Sequence, residues 1–272
     1  MSLIIFTHAN SFPATTYRVS FRSLRARGFT VKAIEKMGHD PAYPVSNNWP
    51  HLVRQLADFA GREVETAGEG AWLVGHSLGG YLSTLAAARH PVLGGHKIKG
   101  VVLLDSPLLG GWKARALQFA KSTPLVEQVM PSRVSRARRT NWPSREDALA
   151  SFAAKKVFAR WQPQVLQDYI QHGLKEEKGK FRLRFDRDVE SAIYNTVPHH
   201  FDGYLRRHPL QCPLAFIGGQ YSRELKQVGS ALTEKIAQGR ISMMPGGHLF
   251  PMEYPLETAA EIERVINGMR NA

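Results

Sequence analysis

Six short apolar runs, separated by longer amphipathic stretches, constrain this chain more than any other feature. The runs fall at residues 3–7, 30–34, 71–75, 100–104, 213–217 and 240–244, and helical periodicity fills 17–27, 50–66, 78–89, 224–238 and 256–269. Strands that are apolar along their whole length, rather than at alternate positions, belong to a parallel sheet covered on both faces. With helices in the connections, the crossovers are right-handed. The expected fold is α/β, a doubly wound, mostly parallel sheet.

The rhythm fails only between residues 109 and 209. That stretch holds helical segments near 148–160 and 163–172, and the alternating "KFRLRF" of a strand or hairpin arm. Because strand rhythm resumes at Pro213, it reads as a mainly helical insertion, 109–209, within a core formed by 1–108 and 210–272. Residues 110–209 carry nineteen Lys and Arg against ten Asp and Glu, in a chain of formal net charge +13. Such a surface favours anionic partners. No nucleic-acid-binding motif accompanies the charge, so no nucleic acid is expected as a partner.

No apolar run approaches the ~18 residues of a membrane helix, so stable membrane insertion is not expected. The opening "MSLIIFTHANSF" has neither a basic region nor a small-residue cleavage site. The single cysteine, Cys212, can form no intramolecular disulfide, which suits a reducing compartment. A cytoplasmic protein, monomeric or homodimeric, is expected.

The chemistry is concentrated in "AWLVGHSLGGYLS". Here an apolar strand runs into Gly75-His76-Ser77-Leu78-Gly79 and then directly into a helical pattern. G-x-S-x-G in a strand–turn–helix context places a serine hydroxyl on a sharp turn at the carboxyl end of a strand. The helix N-terminus behind it favours developing negative charge. A serine is a poor nucleophile until a base takes its proton. In "MMPGGHLFPMEYP" a Gly-Gly loop after the last strand presents His248, completing a Ser-then-His chain order.

With the "FTHANSF" loop, the "GHSLGG" turn, the "LLDSP" strand end, the insertion and the "GGH" loop, the chain resembles the α/β-hydrolase superfamily, in its serine hydrolase or esterase branch with an inserted lid. The resemblance covers nearly the whole sequence, although His8-Ala9 stands where His-Gly is commoner. It implies an acyl-enzyme mechanism without metal or organic cofactor, and a small-molecule acyl substrate. It also implies an oxyanion hole from the Leu78 N–H and from Asn10, with Ser11 as the alternative.

The resemblance implies that the third member of a triad, a carboxylate that orients the histidine, follows a few residues after strand 213–217. Gln220, Tyr221 and Ser222 stand there instead. Two substitutes are open: Asp105, at the end of the strand after the serine turn, and Glu224, slightly beyond the expected place. Candidate substrate contacts are His8 and His76 on the two loops, with Trp112 and Trp142 in the insertion, where Phe152, Trp161 and Tyr169 read equally as internal packing. Arg133, Arg136, Arg138 and Arg139 form either a solvated charged face or a place for a substrate carboxylate or phosphate. Hydrolysis of an ester is the favoured reading; C–C, thioester or lactone hydrolysis, or ligand binding without catalysis, are its alternatives.

Overall fold

In the computed structural model, which describes residues 2–121 and 132–271 and the side chains of all but 132–134 among them, the six apolar runs become one parallel sheet. Its strands are β1 (Ser2–Thr7), β2 (Phe29–Ala33), β3 (Ala71–His76), β4 (Gly100–Leu104), β5 (Leu214–Gly219) and β6 (Ile241–Met244). Across the sheet the order is β6-β5-β4-β3-β1-β2, and every pairing is parallel. The inner strands β3, β4 and β5 are buried at every position, while the edge strands β2 and β6 are partly exposed. This is why the inner strands read as unbroken apolar runs.

Side chains alternate between the two faces with the period of a strand. Ile4, Phe6, Trp72, Val74, Val102 and Leu104 pack with helices α1 (Arg18–Ala26) and Pro255–Arg270. Leu3, Ile5, Leu73, Val101 and Leu103 pack with α2 (Pro50–Ala67) and α3 (Leu78–Arg89). The chain runs outward from β1 in two directions, to β2 on one side and through β3 to β6 on the other. That reversal opens a crevice at the carboxyl ends of β1 and β3, where open α/β sheets hold their ligands.

Between β4 and β5 lie α4 (Gly111–Lys121), Ser132–Ala137, Arg145–Ala153, Pro163–Gly173, α5 (Arg187–Asn195) and Phe201–Arg207. A three-stranded antiparallel sheet, with Lys180–Leu183 between Asn141–Trp142 and Leu174–Glu177, stiffens it. Among the described residues its apolar side chains do not form a separate core. Trp142, Phe152, Trp161 and Tyr169 join the cluster on one face of the main sheet, and Phe185, Ile193 and Phe201 join the other.

One helix expected from the sequence is two. Residues 224–238 divide into α6 (Arg223–Val228) and Ala231–Ala237, because Gly229 takes a φ of 85° and ends the first. Among the described residues no helix is long and apolar enough to cross a membrane.

Candidate active site

The turn after β3 is closed by close approach of backbones. A side chain at Gly75 would fall on the backbone of Gly79 and Gly80, and one at Gly79 on the Thr7 carbonyl at the end of β1. Glycine at both places lets the chain reverse between β3 and α3. Ser77, at the apex, takes φ 53° and ψ −115°, a conformation costly for a residue with a Cβ. Ser11 (φ 80°) and Asp105 (φ 42°), at the ends of β1 and β4, are also in the left-handed region. Backbone strain thus gathers at three adjacent strand ends. Ser11, not Ala9, takes the left-handed turn of the first loop, so an alanine is tolerated after His8.

These strand ends bring three side chains into line. Ser77 Oγ lies 3.0 Å from His248 Nε2, and His248 Nδ1 lies 2.6 Å from Asp105 Oδ2. Asp105 is fully buried. It accepts the Gly219 N–H at Oδ1 (2.8 Å) and the Ser222 hydroxyl at Oδ2 (2.5 Å). Glu224, the other candidate, stands 3.9 Å from His248 Nδ1 with about half its side chain in solvent. Burial alone would lower the His248 pKa; the hydrogen bond and attraction from Asp105, aided by Glu224, outweigh it and hold the pKa above its usual value.

Ser222 occupies the loop where the sequence lacks an acid. It caps α6 by accepting the Leu225 N–H (3.0 Å) while donating to Asp105. Asp105, Glu224 and His248 bring one ligand atom each within 4.8 Å, a spacing compatible with a cation. The Asp105 oxygens and His248 Nδ1 are, however, already committed to the hydrogen bonds above.

His8 and His76, expected at the substrate, are fully buried and line no part of the cavity around Ser77. His8 accepts the Met37 N–H at Nε2 (2.8 Å) and meets the Ala9 carbonyl at Nδ1 (2.8 Å). His76 lies 2.8 Å from the Tyr17 hydroxyl and 2.8 Å from the His248 carbonyl. Burial pushes both down, to about 4 and about 3, so both are neutral. Tyr17 in turn accepts the Ala9 N–H (3.0 Å). A chain of hydrogen bonds, Ala9 to Tyr17 to His76 to the His248 carbonyl, therefore fixes the first loop, the serine turn and the histidine loop to one another. Tyr17 had no motif to announce it.

The cavity holds about 340 Å³. Ser77, Leu78, Asn10, Asp105, Glu224 and His248 form its floor, and Trp49, Tyr81, Leu109, Leu117, Ile193, Tyr194, Val197 and Val228 its largely apolar walls. Leu78 opens α3, where the first N–H groups have no partner within the helix. The Asn10 side chain donates to the Glu190 carbonyl (3.1 Å) on α5, and Ser11 Oγ donates to the Glu190 carboxylate (2.5 Å) without lining the cavity. Their side chains are thus tied to the insertion, so the loop's candidate oxyanion donors are backbone N–H groups, and of the two residues Asn10 is the one that lines the cavity.

Trp112 and Trp142 do not reach the cavity. Trp112 is 74% exposed on α4, whose Lys113 and Leu117 face inward instead, and Trp142 is 1% exposed, packed on Phe152. Helical spacing shows that an aromatic recurs; it does not say which side of the helix meets the cavity. The Arg133 side chain lies outside the described residues.

The chain superposes on solved structures of several hydrolases. Similar chains are an E-2-(acetamidomethylene)succinate hydrolase (20% identity, TM-score 0.71, covering 98% of this chain and 91% of that one) and the peroxisomal α/β-hydrolase Lpx1 of Saccharomyces cerevisiae (15%, 0.68, 99% and 77%). A third is epoxide hydrolase A of Mycobacterium thermoresistibile (17%, 0.64, 98% and 92%). At these identities the likeness is one of fold. No curated protein matches the sequence significantly. The model of one family, described as the alpha/beta hydrolase family, matches residues 4–261, and with the sheet and the serine turn found within that span, the chain belongs to the α/β-hydrolase family.

Proposed function

We propose that the chain is a serine hydrolase that cleaves a carboxylic ester or a related acyl compound through an acyl-enzyme intermediate, with residues 109–209 as a lid over the site. The observation that carries this reading is the continuous line Ser77 Oγ, His248, Asp105, at 3.0 and 2.6 Å. His248 Nε2 takes the Ser77 proton as Oγ attacks the carbonyl carbon. Asp105, an acceptor from Gly219 and Ser222, holds Nδ1 protonated, so that Nε2 is free to act as base. The tetrahedral oxyanion forms against the Leu78 N–H and the Asn10 N–H; loss of one such donor costs ~10²–10³ in rate. His248 then returns the proton to the leaving group, and water repeats the sequence to free the acid.

The cavity walls favour an apolar acyl or alcohol group of modest size. Hydrolysis of p-nitrophenyl acetate and butyrate by wild type and Ser77→Ala tests the proposal. Turnover by wild type and its loss in Ser77→Ala is expected. Equal rates, or no turnover by wild type on any acyl ester, would set it aside.

A further inference from the structure

The insertion and the Phe12 loop line a second, open cleft of about 700 Å³ beside the first. Tyr194 lines both. Asn10 borders one and Phe12 the other, two residues apart on the same loop and so within ~7 Å along the backbone.

The charged lining is one-sided: Arg138, Arg139 and Lys155 against the carboxylate of Glu190. That carboxylate is already engaged. It accepts Ser11 Oγ (2.5 Å) and Ser135 Oγ (2.8 Å) and pairs with Arg138. Arg138 Nε remains buried without a hydrogen-bond partner among the described residues. Arg139 donates Nε to the Asn141 carbonyl (2.8 Å) and lies over Trp142. Lys155 lies over Phe152 and Phe158. Among the described residues, neither Arg139 nor Lys155 has a carboxylate within ion-pair distance. Burial, and after it repulsion from the two arginines, lowers the Lys155 pKa. Among the described residues, two exposed cations thus stand without an acidic partner beside an apolar wall of Phe12 and Phe158.

We propose that this cleft receives a carboxylate or phosphate carried by the acyl substrate, held by Arg138, Arg139 and Lys155, so that the enzyme prefers anionic acyl esters over neutral ones. Guanidinium groups match the two oxygens of such anions, and charge-assisted hydrogen bonds are the strong ones. The proposal rests on the reading of Ser77 as nucleophile.

The test compares kcat/KM for p-nitrophenyl butyrate and the p-nitrophenyl half-ester of glutarate in wild type and in Arg139→Glu/Lys155→Glu. Wild type favours the half-ester, and the anionic-to-neutral ratio falls at least about tenfold in the variant. An unchanged ratio overturns the proposal. Calorimetric binding of glutarate, and separately of inorganic phosphate, to Ser77→Ala with and without the two reversals keeps the question independent of turnover. Binding weakened about tenfold or more by the reversals supports the site, and the tighter anion names the group it prefers. No binding, or equal binding, overturns the site even if Ser77 proves to be the nucleophile. Should the reversed variant misfold by circular dichroism, Arg139→Gln/Lys155→Gln replaces it under the same criteria.

Discussion

Asp105→Asn is the substitution whose consequence follows most directly from the geometry. The carboxylate accepts at both oxygens: the Gly219 N–H on Oδ1, and the Ser222 hydroxyl and His248 on Oδ2. An asparagine of the same shape has one acceptor. If its oxygen keeps the Gly219 N–H, its NH₂ faces His248 Nδ1, and that nitrogen becomes the acceptor. The imidazole proton then sits on Nε2, pointed at Ser77, and His248 can no longer take the serine proton. The flipped amide would set a donor against the buried Gly219 N–H, at a cost of ~1–3 kcal/mol. That penalty favours the first orientation, in which the base is lost, so kcat should fall by roughly 10⁴, the magnitude that a wrong histidine tautomer produces in serine proteases. Glu224→Gln, half exposed and 3.9 Å away, should cost less than about threefold, as expected of a screened charge. Ester hydrolysis at saturating substrate reads both. Retention of activity by Asp105→Asn within tenfold of wild type, with collapse of Glu224→Gln, would refute the assignment of the acid.

The remaining predictions concern pH and folding. Since His248 must be neutral to act as base and its pKa is raised, kcat/KM should be full well above that pKa and fall as pH drops through it. A pH–rate profile should place the inflection above the ordinary histidine value of about 6.5. Glu190→Ala leaves Arg138 beside the Ser11 loop without its partner, and denaturant titration should show a loss of about 3–5 kcal/mol. Glu190→Ala/Arg138→Met should lose less. Gly75→Ala forces a methyl onto the Gly79 backbone; the variant should be inactive and should melt well below wild type by circular dichroism.

The sheet was legible because both of its faces are buried. In β3, "AWLVGH", every residue is inside, and only a covered parallel strand gives so unbroken an apolar run. The flanking glycines made Ser77 visible, and the last strand made His248 visible. The choice between Asp105 and Glu224 was not legible, since it depends on a backbone φ of 42° that turns the Asp105 carboxylate toward Gly219, Ser222 and His248. His8 and His76 misled for a related reason. They sit beside the candidate oxyanion and serine positions in sequence, but their rings turn into the core to hold Met37 and Tyr17. Glu190 gave no signal at all: in "RDVESAIYN" it is one of two acids, and only the fold reveals it as the buried carboxylate beneath the Ser11 loop.

Mass spectrometry after treatment with a fluorophosphonate tests the central claim most directly. One adduct per chain, on the peptide containing Ser77, absent in Ser77→Ala and greatly slowed in Asp105→Asn, is the predicted result. Equal labelling of wild type and Ser77→Ala, or a folded wild type that takes up no label, would contradict it.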